Sequence, residues 1–113
     1  APLCGSNVIV DVVVKDGRIA EYAAEVKACA LGQAAASVVG ANVIGCTQDQ
    51  ITDTRDALKA MLKQGGPTPS APFDGLEVLR PAQDYKNRHD SILLTLNATV
   101  EAVESLGSAD SCT

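Results

Sequence analysis

Two regimes of hydrophobic spacing divide this chain. Residues 7–15 read NVIVDVVVK, with Val8, Val10, Val12 and Val14 at every second position. A period of two among β-branched residues predicts a strand that buries one face. Asp16-Gly17 follows, a dipeptide suited to the positive-φ positions of a tight hairpin turn. Residues 18–28 read as a second strand, with Tyr22, Ala24 and Val26 on one face and Glu21, Glu25 and Lys27 on the other. The two are predicted to pair antiparallel with one solvated face. A lone hairpin is marginally stable, so a third strand or a covering helix must complete it. Residues 76–79 are a candidate extra element of undefined type.

After Cys29 the spacing changes to three and four. Leu31, Ala34, Ala35, Val38 and Val39 outline a helix rich in alanine, with Gly45 as its stop. Thr47-Gln48-Asp49-Gln50 has the form of a capping box. The helix behind it runs to about Gln64, with Ile51, Leu58 and Leu62 as its apolar stripe and Gly65-Gly66-Pro67 as its end. Arg55, Asp56, Lys59 and Lys63 fall mostly on its wet side. Residues 65–75 form a loop rich in Pro, Gly and Ser, too short for a domain linker. A last helix begins near Asp90 or Ser91 and reaches about Leu106, burying Ile92, Leu96, Val100 and Val103. Residues 107–113 are small and polar, and a flexible tail is expected there. These elements predict an α+β fold, a small antiparallel β-sheet with helices packed on one face.

Composition narrows the function classes. The 113 residues suit one domain, and 46% are hydrophobic, but only 3% are aromatic, so Ala, Val, Ile and Leu must build the core. The net charge is −5. No basic stripe is present to neutralise phosphates, which argues against nucleic-acid binding. Residues 28–48 carry no charge, a length that could span a bilayer. Their Ala, Gly, Ser, Gln and Asn content fits a buried helix better than a membrane span. No signal peptide is evident, and a cytoplasmic location is expected.

The four cysteines are Cys4, Cys29, Cys46 and Cys112. The chain lacks the loop-rich, Cys-dense composition of disulfide scaffolds, so reduced thiols available to metal are expected. Cys4 precedes the first strand and Cys29 stands where the second strand gives way to a helix. There, unpaired backbone N–H groups and the helix dipole favour a thiolate. The hairpin folds the strands back, which should bring Cys4 and Cys29 to one end of the sheet. If the last helix packs on that sheet, His89 and Asp90 at its start could face them. Two thiolates, an imidazole and a carboxylate suit tetrahedral zinc or an iron–sulfur cluster of mixed ligation.

APLCGSNVIV, KACALGQAAAS and RHDSILL, in this order, resemble the U-type iron–sulfur scaffolds of the NifU N-terminal/IscU-like family. That family has a cysteine in an Ala-Pro-x-Cys-Gly-Asp segment before a hairpin, a second in a Gly-Cys-x-x-x-Ala helix start, and a third within His-Cys-Ser-Ile-Leu. The likeness covers residues 1 to about 106. It departs from the family at Ser6, where an Asp is usual, and at Asp90, in place of the third cysteine. Leu79-Arg80-Pro81-Ala82-Gln83 stands near the place of the Leu-Pro-Pro-Val-Lys docking segment of one branch. The family's N-terminal helical segment has no counterpart.

The resemblance implies a non-enzymatic scaffold or carrier that holds a transient cluster, a 2Fe–2S cluster by expectation, or Zn2+. Its implied partners are a cysteine desulfurase and cluster-acceptor proteins, with self-association allowed. Cys4, Cys29 and His89 carry over by position as candidate ligands. Asp90 carries over as a position only and is at once a candidate ligand and a good helix cap, with the cap favoured. Ser6 is a poor substitute ligand. Arg88 is a solvated neighbour that could hold anionic sulfur. Cys46 matches no family ligand and reads as structural; Cys112 reads as a free thiol. Two rival functions remain open: a zinc-containing sulfur acceptor for a desulfurase, and a metal-free paralogue that keeps the fold for protein interaction.

Overall fold

The computed structural model describes residues 7–112, with side chains through residue 105. Strands β1 (Asn7–Lys15) and β2 (Arg18–Lys27) form a two-stranded antiparallel sheet. Asp16 and Gly17 both take positive φ, 55° and 76°, as a tight turn between right-twisted strands requires. Val8, Val10, Val12 and Val14 are the half-buried residues of β1, and the residues between them are exposed. They pair with Val26, Ala24, Tyr22 and Ile19 in that order.

The last pairing breaks the expected alternation. Simple period-two counting from Tyr22 puts Ile19 on the wet face with Glu21. A bulge between Val13 and Val14 inserts one extra β2 residue, so Val13 faces Glu21 while Val14 faces Ile19. Ile19 thereby turns into the core and is 1% exposed. Its backbone completes the sheet edge: its N–H donates to Cys46 O at 2.9 Å and its carbonyl accepts from Gly45 N at 2.8 Å. An isolated bridge joins Arg18 to Thr47, and Arg18 Nη1 donates to Gly45 O at 2.8 Å. The turn end of the hairpin is thus fastened to the chain behind the first helix, which supplies the extra partner that a lone hairpin needs.

Helix α1 (Ala30–Asn42) buries Gly32, Ala35 and Val39, with Leu31, Ala34 and Val38 against the same core. It ends at Asn42, before the expected stop, and Gly45 instead takes φ 87° in the turn that follows. Helix α2 (Gln48–Gln64) starts on the capping box foreseen from its sequence: Thr47 Oγ1 accepts from Gln50 N at 3.2 Å, and Thr47 N donates to Gln50 Oε1 at 2.9 Å. It ends at Gly65, which takes the left-handed φ of 68°. Ile51, Thr54, Leu58, Met61 and Leu62 form its buried face.

Residues Asp74–Asp84 and Lys86–Arg88 are 3-10 helical. Phe73, Leu76, Leu79 and Ala82, each three positions after the last, are all buried. Three residues per turn stacks them on one side, which explains why this pattern folds as a 3-10 segment. Arg80 ties the segment to the preceding loop, donating to Gly66 O at 3.1 Å, Thr68 Oγ1 at 2.7 Å and Glu77 Oε1 at 3.1 Å.

Helix α3 (His89–Cys112) is the axis of the fold and packs on α1, α2 and β1. Ile92, Leu96, Val100 and Val103 are buried as expected, joined by Leu93, Ser91, Thr95 and Thr99. The buried hydroxyls are bonded: Thr99 Oγ1 donates to Thr95 O at 2.7 Å and lies 3.0 Å from the Tyr22 hydroxyl. The backbone stays helical to Cys112, past the end near Leu106 that the apolar stripe suggested. No described helix is long and apolar enough to cross a membrane. The uncharged residues 28–48 are α1 and its flanking turns.

Candidate functional site

The site is built where two helix starts meet below the open end of the hairpin. Asn7 pairs with Lys27, so the described chain enters the sheet at the end from which Cys29 leaves it. Cys4 and Ser6 lie outside the described residues, as does the expected approach of Cys4 to Cys29. Cys29 is the N-cap of α1, extended at φ −65° and ψ 171°. Its carbonyl accepts from Gln33 N at 2.9 Å, the first helical bond. Its side chain is half-buried and free of any disulfide.

The electrostatics around this sulfur favour the thiolate. The Ser91 hydroxyl, 3.5 Å away, holds the Cys29 thiol below its ordinary pKa. Partial burial opposes that shift, while the backbone N–H groups of Gly32 and Leu31 and the charge of Arg88 add to it. This is how a cysteine at a helix N-terminus becomes a nucleophile and a metal ligand. Cys46 shows the contrast. It is 4% exposed, its Sγ donates to Asn42 O at 3.4 Å, and burial pushes its thiol up. The structural reading of Cys46 agrees with this packing.

Gly32 lets the two helices approach. A Cβ on it would lie 2.7 Å from Ala28 Cβ, 2.9 Å from Ser91 Oγ and 3.0 Å from Ser91 O. Any side chain there would push α3 away from α1. A glycine in the first turn of an alanine-rich helix was the signal available in the sequence for this crossing, and Ser91 was the residue it missed.

His89 is placed differently from a solvent-facing ligand. It is 2% exposed, and its Nε2 lies 3.0 Å from Ala82 O and 3.1 Å from Gln83 O. Both partners are acceptors, so Nε2 carries the proton and donates, fastening the end of the 3-10 segment to the start of α3. Only Nδ1 remains as a donor atom toward a metal. Metal-binding histidines commonly tie their other nitrogen to a carbonyl in this way.

Asp90 is exposed, within the first turn of α3. It is not the cap, because the helix already begins at His89. There its charge favours the helix dipole. Successive residues diverge by about 100° on an α-helix, so Asp90 faces outward while Ser91 turns inward to Cys29. Among the described residues, no three His, Cys, Asp or Glu side chains gather around a common point. The donor chemistry still fits a cluster or zinc in part. Cys29 is a part-exposed sulfur whose thiol is shifted toward the thiolate, and Asp90 is exposed in the first turn of α3.

No family model matches the chain, and no curated protein matches it. Solved structures do. A nitrogen-fixing NifU-like protein (N-terminal) from Brucella abortus is 44% identical over 96% of this chain and 75% of its own, with a TM-score of 0.93. A hypothetical protein is 24% identical over 92% of this chain and 76% of its own, with a TM-score of 0.82. A protein assigned as an iron–sulfur cluster assembly scaffold for the SUF system, from Fervidobacterium islandicum AW-1, is 20% identical over 91% of this chain and 75% of its own, with a TM-score of 0.77. The last two share the fold.

Proposed function

We propose, from the premise that this chain belongs to the NifU-like N-terminal family, that it is a scaffold on which an iron–sulfur cluster is assembled and from which the cluster is passed on. The observation that carries this reading is the state of Cys29. Its sulfur is reachable from solvent, capped by a helix N-terminus, and drawn toward the thiolate by Ser91 and Arg88. A thiolate so held is a ready ligand for iron.

The cluster is cargo here, and the residues act on it as follows. Cys29 binds it through sulfur. The first N–H groups of α1 and the Ser91 hydroxyl offset the negative charge left on that sulfur. Cys4 is the second thiolate of the reading. His89 offers Nδ1 while its Nε2–H keeps the start of α3 in place. Asp90 replaces a third sulfur with oxygen, a weaker partner for iron in a cluster. A site with fewer thiolates holds its cargo less firmly, which suits a carrier that must give it up. The supplier of sulfur in this reading is a cysteine desulfurase, the recipients are cluster-acceptor proteins, and the setting is the reducing cytoplasm.

Anaerobic reconstitution with iron and sulfide, followed by absorption and by iron and sulfide analysis, tests this. Wild type should take up both and become coloured, Cys29→Ala should lose most of that uptake, and Asp90→Ala should weaken it. Colourless wild type containing zinc, together with stimulation of a desulfurase, would replace the scaffold reading with the zinc-containing sulfur acceptor. Wild type that binds neither iron nor zinc would refute both.

A further inference from the structure

The residue of α3 that stands on Cys29 is Ser91, although Asp90 occupies the place where a third sulfur would be expected. The two side chains are 62 positions apart in sequence, yet Ser91 Oγ is 3.5 Å from Cys29 Sγ. Ser91 is 1% exposed, so its hydroxyl is held in place rather than sampling solvent. The crossing is itself built for this contact. Gly32 is the only residue type that leaves room for Ser91, since a Cβ would come within 2.9 Å of its Oγ. Two helix starts have been brought together with the smallest possible residue between them, and the Cys29 sulfur and the Ser91 hydroxyl face each other there.

A thiolate has lone pairs and no proton, so with a charged or metal-bound sulfur the hydroxyl must be the donor. We propose that Ser91 is a positioning residue for Cys29: its O–H donates to the Cys29 sulfur and keeps that bond while the sulfur holds cargo. This rests on the scaffold reading above and extends it to a residue with no ligand role. A hydrogen bond to a ligating sulfur fixes the direction of its remaining lone pairs and withdraws charge from it. Groups that orient a ligand in this way typically change metal affinity tenfold to a hundredfold when removed. Hydrogen bonds to sulfur also tune the electronic properties of a cluster. Asp90, exposed on the neighbouring direction of the helix, cannot replace this contact without rotating α3.

The experiment uses the full chain, loaded anaerobically with iron and sulfide, as wild type, Ser91→Ala and Ser91→Cys. Folding is checked first by circular dichroism. Release of iron to a chelator and the positions of the sulfur-to-iron absorption bands are then measured. Folded Ser91→Ala should release iron at least tenfold faster than wild type and show displaced bands. Unchanged release and unchanged bands would overturn the positioning role and leave the scaffold reading standing. Wild type that takes up no iron would overturn the scaffold reading, and this inference with it. If Ser91→Ala does not fold, the metal-free Ser91→Cys protein decides: mild oxidation should link residues 29 and 91 by a disulfide, located by peptide mapping. Absence of that link would show that the two side chains do not meet, and would overturn the proposal.

Discussion

Helix α1 contains two glycines that should respond oppositely to the same substitution. In Gly32→Ala the new methyl carbon would sit 2.7 Å from Ala28 Cβ and 3.0 Å from the backbone oxygen of Ser91. Ordinary contacts between carbon atoms are about 3.5–4.0 Å, so the shortfall at Ala28 is about 1 Å. Neither neighbour is the tip of a flexible side chain, so relief requires the chain entering α1 to shift at Ala28 and α3 to move away at Ser91. Overpacking of this kind costs about 3 kcal/mol at the upper end of its usual range. Alanine recovers about 1 kcal/mol of helix propensity, leaving a net loss of about 2 kcal/mol. In Gly40→Ala nothing lies within 4 Å of the new carbon, so only the propensity gain remains, about 1 kcal/mol or less near the helix end. At about 4 °C per kcal/mol for a domain of this size, Gly32→Ala should melt about 8 °C below wild type and Gly40→Ala up to about 4 °C above it. Thermal unfolding followed by circular dichroism measures both. A Gly32→Ala protein as stable as wild type would refute the claim that the α1–α3 crossing is set by that glycine.

Three further outcomes are expected. In the metal-free protein, the pH profile of alkylation at Cys29 should have its midpoint below the ordinary thiol value, because Ser91, two backbone N–H groups and Arg88 lower it. The stability this contributes is present above the unfolded-state pKa and is lost as pH falls through the native one; Cys46, buried and shifted upward, should resist alkylation until the chain unfolds. Leu96→Ala, at a position 1% exposed in the middle of α3, should cost about 2–5 kcal/mol in urea denaturation. Thr47→Ala should cost about 1 kcal/mol, because it removes the hydroxyl that accepts Gln50 N–H.

Much of this fold is legible from local pattern, and the exceptions have physical causes. The faces of β1 follow from alternating valines, and the start of α2 follows from Thr47 and Gln50 bonding each other. The inward turn of Ile19 is not visible to period-two counting, because a bulge adds one residue to β2. The 3-10 segment was present as apolar residues at 73, 76, 79 and 82. That period of three falls between the helix and strand templates, so local pattern alone leaves its type undefined. At the candidate site, the junction position of Cys29 is legible from the change of spacing, and the residue is the N-cap of α1. The cap expected at Asp90 and the inward turn of Ser91 differ because one residue of difference in where α3 starts rotates each side chain by about 100°. The burial of His89 depends on carbonyls of Ala82 and Gln83, whose direction is set by the 3-10 geometry rather than by any motif.

The ring of His89 works as a bolt between two segments, and this changes how its loss must be interpreted. Cutting it to alanine withdraws one N–H from two carbonyls and opens a void at the base of α3. A drop in iron content would then follow from slackening of the joint, whether or not the imidazole ever touches iron. Glutamine, whose amide N–H reaches about as far as Nε2–H, is therefore the informative replacement. Should His89→Gln hold its iron while His89→Ala sheds it, the histidine serves as carpentry and the metal is held by its neighbours.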